Sequence, residues 1–402
     1  MPVSSLDDSA AYGAIIVGGG IQGLMVALAA AERGLKPLVL ERAGLGAGAS
    51  TASMGIVHGG LRYLQSLDIP RWYRSRENQR WFGQEFSAYC KPLRCRMPLY
   101  HRTFRSPGMF RAAFVIERLL SNLAASPSGL PPPRLKGDDH DLPSLVPRQR
   151  LTAVAEWSEL ALEDGAGLLA HIAERIEAMG GRVTLHEEAT GLEERPEGGL
   201  LISTRREDRE AHYNGKCVML CVGAASRSLA RCLDRDIPAL SARVLAFNLL
   251  LDRPMEVGTA LALSANAGHG RSYFLRGYEG RILAGTFYHP LSEDLGGAVR
   301  PAVPQALIER AMREIVKAAP QLQGSNVVET WSGALPDTNG QGVRLRNRDL
   351  LYDHGRHGGP RGLYTLLGTK LTTSRSLALS ALDLEGRKSP DRRRSAPRKA
   401  AA

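Results

Sequence analysis

The stretch AIIVGGGIQGLMVALAAAERGLKPLVLE, residues 14–41, decides the fold of this chain. Residues 14–17 are a short apolar run typical of a buried strand. Residues 21–33 carry apolar side chains on all sides, as a helix packed on a sheet requires, and Gly34 ends that helix. A second apolar strand follows at residues 37–40. This order predicts a β-α-β unit of the Rossmann type.

The turn of this unit contains the pattern G-x-G-x-x-G at Gly18, Gly20 and Gly23. The first glycine permits the tight turn, the second lets the backbone approach a pyrophosphate, and the third lets the helix pack on the strand. The helix N-terminus supplies N–H groups for the phosphates. Glu41 ends the second strand, where a carboxylate accepts hydrogen bonds from ribose hydroxyls. The pattern therefore predicts a dinucleotide site and leaves open whether NAD or FAD occupies it.

The segment that follows favours FAD. Residues 43–60 are rich in Gly, Ala, Ser and Thr, so the chain can pass close beside an extended cofactor there. In flavoproteins of this type the chain returns along the isoalloxazine ring at this point. We expect noncovalent FAD, because no cysteine that could attach the flavin follows Cys232. Further cofactor contacts are expected from Arg42, Ser50 and Thr51, and no metal site is expected.

Other segments continue the α/β pattern. We predict a helix at residues 165–179, strands at 182–185, 216–222 and 362–367, and a helix at 372–384. Between them lie less regular blocks with a Pro-rich linker at 126–133 and a basic segment at 94–111, then strand-like runs at 244–251, 273–275 and 282–286 and an amphipathic helix at 303–318. No internal repeat is visible.

These elements predict an α/β fold with a Rossmann-type FAD-binding domain, similar to the glutathione-reductase-like (GR2/DAO) type. That domain is interleaved with an α+β substrate domain built on a mixed or antiparallel sheet. We expect the cofactor domain to comprise residues 12–80, 151–236 and 345–386. The substrate domain would comprise residues 81–150 and 237–344, and residues 387–402 would form a disordered basic tail.

Composition excludes several classes of protein. The net charge is +11, but seven basic residues and one acidic residue lie between positions 387 and 399, which argues against a nucleic-acid-binding face. No apolar run reaches the roughly 20 residues that a membrane helix needs. The acidic start of the chain does not resemble a secretory signal. The odd set of five cysteines favours reduced thiols, so we expect a cytoplasmic protein, with weak contact of the tail to the inner face of a membrane left open.

Two motifs resemble one family. STASMGIVHGGLRYL at residues 50–64 resembles the signature of the FAD-dependent (aerobic) glycerol-3-phosphate dehydrogenases, and GTKLTTSR at residues 368–375 is similar to their Gly-Gly-Lys-Leu-Thr-Thr-Tyr-Arg motif. The run TWSG at residues 330–333 and the Arg-Asp pair at residues 348–349 also resemble the family pattern. CVGAAS at 221–226 stands where the wider amino-acid-oxidase (DAO) superfamily has an Ala-Thr-Gly strand end.

The resemblance implies roles for particular residues. Arg62, Arg348 and Lys370 would lie over the flavin and bind a substrate phosphate or orient its hydroxyl. Tyr63 would add a hydroxyl contact, and His58 is a candidate base for the substrate hydroxyl. The turn at residues 368–373 would aim N–H groups at the flavin edge that becomes negative on reduction. Flavin contacts would come from Gly223, Gly368, Lys370, Leu371 and Thr372.

Other interpretations of these residues stay open. Arg62 and Tyr63 would otherwise be ordinary surface residues, and Arg348 a salt-bridge partner of Asp349 or Asp353. His58 would otherwise be a structural histidine that transfers no proton.

The chain also departs from the family pattern. The family has an arginine just before the proline that follows Trp-Ser-Gly, and Leu335 occupies that place here. We also expect no counterpart of the long C-terminal helical domain of the bacterial enzymes. Glycerol 3-phosphate is therefore not implied as the substrate.

We expect an FAD enzyme that takes a hydride from the CH–OH group of a small anionic substrate and passes electrons to quinone, oxygen or another acceptor. An amine, amino-acid or 2-hydroxy-acid oxidase of the same fold is the alternative enzyme. A flavin-binding partner protein without turnover is the alternative from another class.

Overall fold

A computed structural model describes residues 6–100, 106–123, 129–137, 144–149, 151–241, 244–263, 272–291, 300–336 and 349–388. In chain order the strands are β1 Leu6–Tyr12, β2 Ala14–Val17, β3 Pro37–Glu41, β4 Ile56–Val57, β5 Cys90–Tyr100, β6 Arg134–Lys136, β7 Leu151–Leu162, β8 Arg182–Leu185, β9 Glu188–Glu194, β10 Leu200–Arg206, β11 Arg209–Gly215, β12 Val218–Leu220, β13 Val244–Pro254, β14 Thr259–Leu263, β15 Tyr273–Tyr278, β16 Arg281–Pro290, β17 Val327–Leu335, β18 Leu350–Asp353 and β19 Leu363–Leu367.

The helices of the described residues are α1 Ile21–Glu32, α2 Leu61–Leu64, α3 Ile69–Glu85, α4 Pro107–Leu123, α5 Gly165–Ala178, α6 Ser226–Leu233, α7 Gln305–Ala318 and α8 Ser374–Lys388. Short 3-10 turns at Gly223–Ala225 and Leu371–Thr373 precede α6 and α8. No helix in these ranges has the length and apolar character needed to cross a bilayer.

The central layer is a six-stranded sheet in the order β18-β19-β12-β2-β3-β8. All neighbours are parallel except β18 and β19. Side chains alternate between the two faces. Ala14, Ile16 and Val39 pack against α1, α5 and α8, whereas Ile15 and Leu38 pack against the four-stranded sheet β1-β11-β10-β9. The predicted β-α-β unit is confirmed as the centre of a three-layer arrangement.

The second body of structure is a nine-stranded sheet in the order β17-β13-β16-β15-β14-β5-β7-β4, with β6 paired to β7. Its pairs are antiparallel except β14 with β5, so the sheet is mixed. Two of its strands, Ile56–Val57 and Leu151–Leu162, come from segments that we grouped with the cofactor domain. The antiparallel pairing of β7 with the eleven-residue β5 joins them to this sheet. The division into domains stays a prediction.

The region predicted as irregular, between about residues 81 and 146, contains regular structure. The end of α3, strand β5 and helix α4 lie there, and the basic segment at 94–111 covers the end of β5 and the start of α4. Residues 126–128 of the predicted linker, together with residues 389–402 of the predicted tail, lie outside the described residues. Helices α2, α3 and α4 pack together around Leu64, Trp72 and Ala113.

A buried arginine joins the small-residue segment 43–60 to the nine-stranded sheet. Arg276 is fully buried on β15 and donates to the carbonyl of Met54 at 2.6 Å and to that of Leu162 at 3.3 Å. Its guanidinium also contacts the carboxylate of Glu163 at 3.0 Å. Breaking one side of a buried ion pair is costly because the remaining groups stay desolvated.

We therefore expect Arg276→Met to lower the free energy of unfolding by about 2–4 kcal/mol, because two buried carbonyls and Glu163 lose their donor. Urea unfolding at saturating FAD, followed by tryptophan fluorescence, measures the change. The matched control is Arg281→Met, which removes an exposed arginine from the adjoining strand. An equal loss of stability in both variants would contradict this account of Arg276.

Candidate active site

A cleft of about 660 Å³ opens at the carboxyl ends of β2, β3 and β12. Val17, Glu41 and Cys221 mark those strand ends on its wall, and Ala246 and Tyr288 belong to the facing nine-stranded sheet. The cleft therefore lies between the two sheets. Ligands of open parallel sheets bind at this edge, outside the carboxyl ends of the strands.

Each glycine of the turn is required for a different physical reason. Gly18 has φ +112°, and a Cβ there would lie 2.7 Å from the carbonyl oxygen of Cys221. A Cβ on Gly23 would lie 1.9 Å from the carbonyl oxygen of Gly18, so α1 can pack here only through bare backbone. A Cβ on Gly20 would contact only the hydroxyl of Ser50, at 3.0 Å. Gly20 thus leaves the space inside the cleft open, as a pyrophosphate needs.

The N-terminus of α1 points its donors at this cleft. Gly20 is its N-cap and provides no side-chain cap, and the first turn holds no acidic residue. The N–H of Ile21 donates to Ser50 Oγ at 3.0 Å. Glu41 accepts from the N–H groups of Gly19 at 2.6 Å and Ala43 at 2.8 Å, one at each carboxylate oxygen. Each oxygen keeps a lone pair, so the carboxylate can still accept a ribose hydroxyl.

The predicted cofactor residues divide into two groups. Those on the cleft wall are Gly18, Gly20, Glu41, Arg42, Ser50, Gly223, Gly368, Lys370 and Leu371. Three others do not line it. Gly23 lies beneath the turn, Thr51 donates to the carbonyl of Gly46, and Thr372 is buried and accepts from the N–H of His58.

Two buried polar atoms on the cleft wall have no hydrogen-bond partner among the described residues. Asn248 is 2% exposed, donates through Nδ2 to the carbonyl of Ala52 at 2.8 Å, and leaves Oδ1 unpaired. The hydroxyl of Thr369 is likewise unpaired. The Oδ1 of Asn248 lies against the backbone of Gly285, whereas the Thr369 hydroxyl belongs to a turn on the cleft wall. Buried polar groups in native proteins are normally satisfied, so the Thr369 hydroxyl fits a ligand that carries hydrogen-bonding groups. The wall therefore fits FAD, which carries donors and acceptors along its whole length.

The two specific motifs meet, although about 300 residues separate them. The Nζ of Lys370 donates to the hydroxyl of Tyr63, and the N–H of His58 donates to Thr372 Oγ1 at 3.3 Å. The segment from His58 to Tyr63 is therefore held at both ends against the turn that leads into α8. His58, Arg62 and Tyr63 do not line the cleft themselves, and Lys370 connects them to it.

Three cations surround the ring of Tyr63. The guanidinium carbons of Arg62 and Arg71 lie 5.1 Å and 4.4 Å from its centroid, and the Nζ of Lys370 lies 5.1 Å away. Burial lowers the pKa of Lys370, and the charges of Arg62 and Arg71 lower it further, while Tyr63 acts in the opposite direction. Burial raises the pKa of Tyr63, but the three cations together outweigh it and lower that pKa.

Asp349 supports the turn from the other side. Its carboxylate accepts hydrogen bonds from the hydroxyl of Thr373 and from the N–H of Thr369. Burial raises the pKa of Asp349, and those bonds together with the charges of Lys370 and Arg71 act against that rise. Arg348, the predicted third cation, lies outside the described residues.

Behind His58 lies a buried carboxylate, that of Glu159 on β7. Its Oε2 accepts from the N–H of Gly59 and from Nε2 of Gln79, both at 2.6 Å. Its Oε1 lies 3.2 Å from Nε1 of Trp157 and 3.4 Å from Nδ1 of His58. The side chain of Glu159 is 4% exposed, whereas that of His58 is 45% exposed.

Sequence reasoning missed several of these residues. Asn248 interrupts the apolar run VLAFNLLL at residues 244–251, and Glu159 is one of four polar residues in β7, LTAVAEWSELAL. A polar residue inside a buried strand is the signal that was available for both. Arg71 lies on a helix of ordinary polar composition, and nothing in the sequence distinguishes it.

The family model described as DAO, FAD dependent oxidoreductase, matches residues 14–376. The chain belongs to this family. It is an FAD-dependent oxidoreductase, and the expected cofactor FAD and fold class are confirmed.

Relatives and a solved structure extend the similarity. The chain is 27% identical over 407 residues to a glycerol-3-phosphate dehydrogenase of Synechocystis sp., covering 93% of this chain and 69% of that one. It is 25% identical over 371 residues to the D-erythritol 1-phosphate dehydrogenase of Brucella abortus, covering 90% and 71%. Glycine oxidase from Geobacillus kaustophilus shares the fold, with a TM-score of 0.69, 18% identity and coverage of 94% and 95%.

Gly20→Val should abolish FAD binding without preventing folding, because a Cβ at this position lies at the cleft and contacts only the hydroxyl of Ser50. Flavin absorbance per protein measures FAD binding, and circular dichroism of the purified variant measures folding. Gly44→Ala is the control, because a Cβ there has no heavy atom within 4 Å. Stoichiometric FAD in Gly20→Val would show that the pyrophosphate lies elsewhere.

Anion binding next to Lys370 should weaken on the alkaline side of neutrality. The lowered pKa of Lys370 means that its charge is lost at a lower pH than that of an ordinary lysine, and ionisation of Tyr63 acts in the same direction. Sulfate titrations of the FAD-loaded protein, followed by the flavin spectrum, measure this. Lys370→Gln should bind sulfate more weakly and with a flatter pH dependence. Tyr63→Phe distinguishes the contribution of tyrosine ionisation from that of the lysine. Lys317→Gln, which changes an exposed lysine, is the control. A Kd that does not change up to about pH 10 would contradict the prediction.

Proposed function

We propose that the protein oxidises a CH–OH group of a small phosphate-bearing polyol to a carbonyl and passes the two electrons to FAD. The observation that carries the proposal is the group of cations formed by Arg62, Arg71 and Lys370 around Tyr63, beside the cleft. The relatives described above that oxidise glycerol 3-phosphate and D-erythritol 1-phosphate support a substrate of this class.

Charge explains why an anion suits this place. Three like charges around one ring repel each other, and the charge of Asp349 offsets part of the charge of Lys370 and Arg71. A phosphate group would compensate them and accept their hydrogen bonds, bidentately from an arginine and as a point contact from Lys370. An uncharged substrate would leave the repulsion in place.

The cleft wall is apolar at Leu335. Leu335 ends β17, pairs with Val244 of β13 and lines the cleft. An apolar side chain there removes the guanidinium expected from the resemblance, so the phosphate would be held near Tyr63 alone. Thr369 offers an unpaired hydroxyl on the cleft wall for a hydroxyl group of the substrate or for the cofactor.

The side chains then have distinct roles in the reaction. The flavin, when bound, supplies the acceptor for the hydride. Lys370, held by Tyr63, would orient the substrate hydroxyl or its phosphate. His58 would accept the hydroxyl proton as the C–H bond breaks. Asp349 would keep the turn that presents Lys370 in place through its bonds to Thr369 and Thr373.

Anaerobic bleaching of the flavin tests the proposal across a panel: glycerol 3-phosphate, D-erythritol 1-phosphate, the unphosphorylated polyols, 2-hydroxy acids, glycine and secondary amines. We expect fast bleaching with at least one phosphorylated polyol and slow or absent bleaching with its unphosphorylated form. Bleaching by amines alone would replace the proposal with an amine or amino-acid oxidase. No bleaching by any compound would favour a flavin-binding protein without turnover.

Leu335→Arg sharpens the same experiment. A charge-assisted contact contributes about 1.5–3 kcal/mol, so restoring the cation should tighten glycerol 3-phosphate binding by roughly tenfold or more. Leu335→Met is the matched control because it keeps the apolar character. Equal effects of the two substitutions would show that this position does not face the phosphate.

The electron acceptor and any membrane contact belong to the same proposal. Reoxidation of the bleached protein by oxygen or by a water-soluble quinone distinguishes the two acceptors. Contact of the basic residues 387–399 with an acidic lipid surface remains a prediction, since residues 389–402 lie outside the described residues.

A further inference from the structure

Among the described residues, Glu159 is the only residue of β7 whose side chain hydrogen-bonds the segment that carries His58. Every group within reach of its oxygens is an N–H: the Gly59 backbone, the Gln79 amide, the Trp157 indole and the His58 ring. The backbone and indole groups are obligate donors. Glu159 therefore acts as acceptor at both oxygens.

This arrangement favours a hydrogen on one particular ring nitrogen of His58. A carboxylate that only accepts requires a hydrogen on the nitrogen facing it, here Nδ1 at 3.4 Å. In a neutral imidazole the other nitrogen, Nε2, then has a free lone pair. The ring also packs on Phe274, with centroids 5.8 Å apart, which limits its rotation.

We propose that Glu159 is a positioning residue that holds His58 in the Nδ1–H tautomer, so that Nε2 receives the proton of the substrate hydroxyl. The inference rests on the proposed function, because it assigns a partner to the base of that reaction. When the O–H proton moves to Nε2, the C–H hydrogen leaves with its electron pair to FAD and the C–O bond becomes a carbonyl. The imidazolium that forms lies beside the negative charge of Glu159.

A purely structural role is the competing explanation. Glu159 also holds the backbone at Gly59 and the amide of Gln79, so its loss could simply displace the loop. The two roles differ in what Glu159→Gln should do. Gly59 and Gln79 each donate to Oε2 at 2.6 Å, so the amide oxygen of the glutamine would take the place of Oε2. The new NH₂ group would then face Trp157 and His58. His58 would then accept through Nδ1 and carry its hydrogen on Nε2.

Nitrogen NMR of ¹⁵N-histidine-labelled, FAD-loaded protein reads the tautomer without any substrate. His58→Gln assigns the resonances, and the control is Glu156→Gln, the same change at a buried carboxylate on the same strand that contacts Arg94 and Arg134 instead. We expect Nδ1–H in the wild type and in Glu156→Gln, and Nε2–H or a mixture in Glu159→Gln. Nε2–H in the wild type overturns the proposal even if Glu159→Gln does not fold.

The kinetic test uses a double-mutant cycle. Glu159→Gln should slow anaerobic flavin bleaching by about 10²-fold, the lower range for loss of a positioned base, while substrate Kd changes by less than about threefold. In the His58→Gln background the same substitution should add less than about threefold. Additive effects of the two substitutions would show that Glu159 only holds the loop. So would a weakening of substrate binding as large as the decrease in bleaching rate. If no substrate is found, the NMR result still decides the tautomer, so failure of the proposed function and failure of this inference are distinguishable.

Discussion

The close approach of backbone to backbone at the glycine turn is the constraint on which the rest of the structure depends. A Cβ on Gly23 would lie 1.9 Å from the carbonyl oxygen of Gly18, and one on Gly18 would lie 2.7 Å from that of Cys221. Because neither side chain is present, β2, β12 and the start of α1 come together at one point. The cleft begins there, and the N–H groups of α1 point into it.

A second group of contacts sets the other side of the cleft. The small-residue segment 43–60 is fastened to the nine-stranded sheet by Asn248, which bonds the carbonyl of Ala52, and by Arg276, which bonds that of Met54. A Cβ on Gly333 would lie 2.6 Å from Cβ of Ala49, so the segment lies directly on β17. Small residues are needed because the chain passes between two sheets along the wall of the cleft.

Electrostatics, more than shape, suggests what the site binds. Lys370, Arg62 and Arg71 lie around a single phenol, and the pKa of Lys370 is lowered first by burial and then by the charges of the two arginines. Such an arrangement is most stable with an anion present. The leucine at position 335 separates this chain from the arginine pattern of the family it resembles, so the same fold would hold its anion with fewer cations.

The sequence by itself determined the β-α-β unit, its glycine turn and the family, because these depend on features that are local along the chain. The apolar period of residues 14–40 and the glycine spacing at 18, 20 and 23 specify them without reference to distant residues. The same reasoning failed for α3, whose polar composition gave no clear period, and for β9–β11, which are rich in polar and charged residues. It also overlooked α4, although that helix is amphipathic.

Only the tertiary structure decided which side chains share the site. It brought Tyr63 to Lys370 across 307 residues, added Arg71 to them, and placed Glu159 behind His58 from a strand 100 residues away. These contacts follow from how α3, β7 and the turn before α8 pack together. Packing of this kind depends on the whole chain, and no spacing within a motif encodes it.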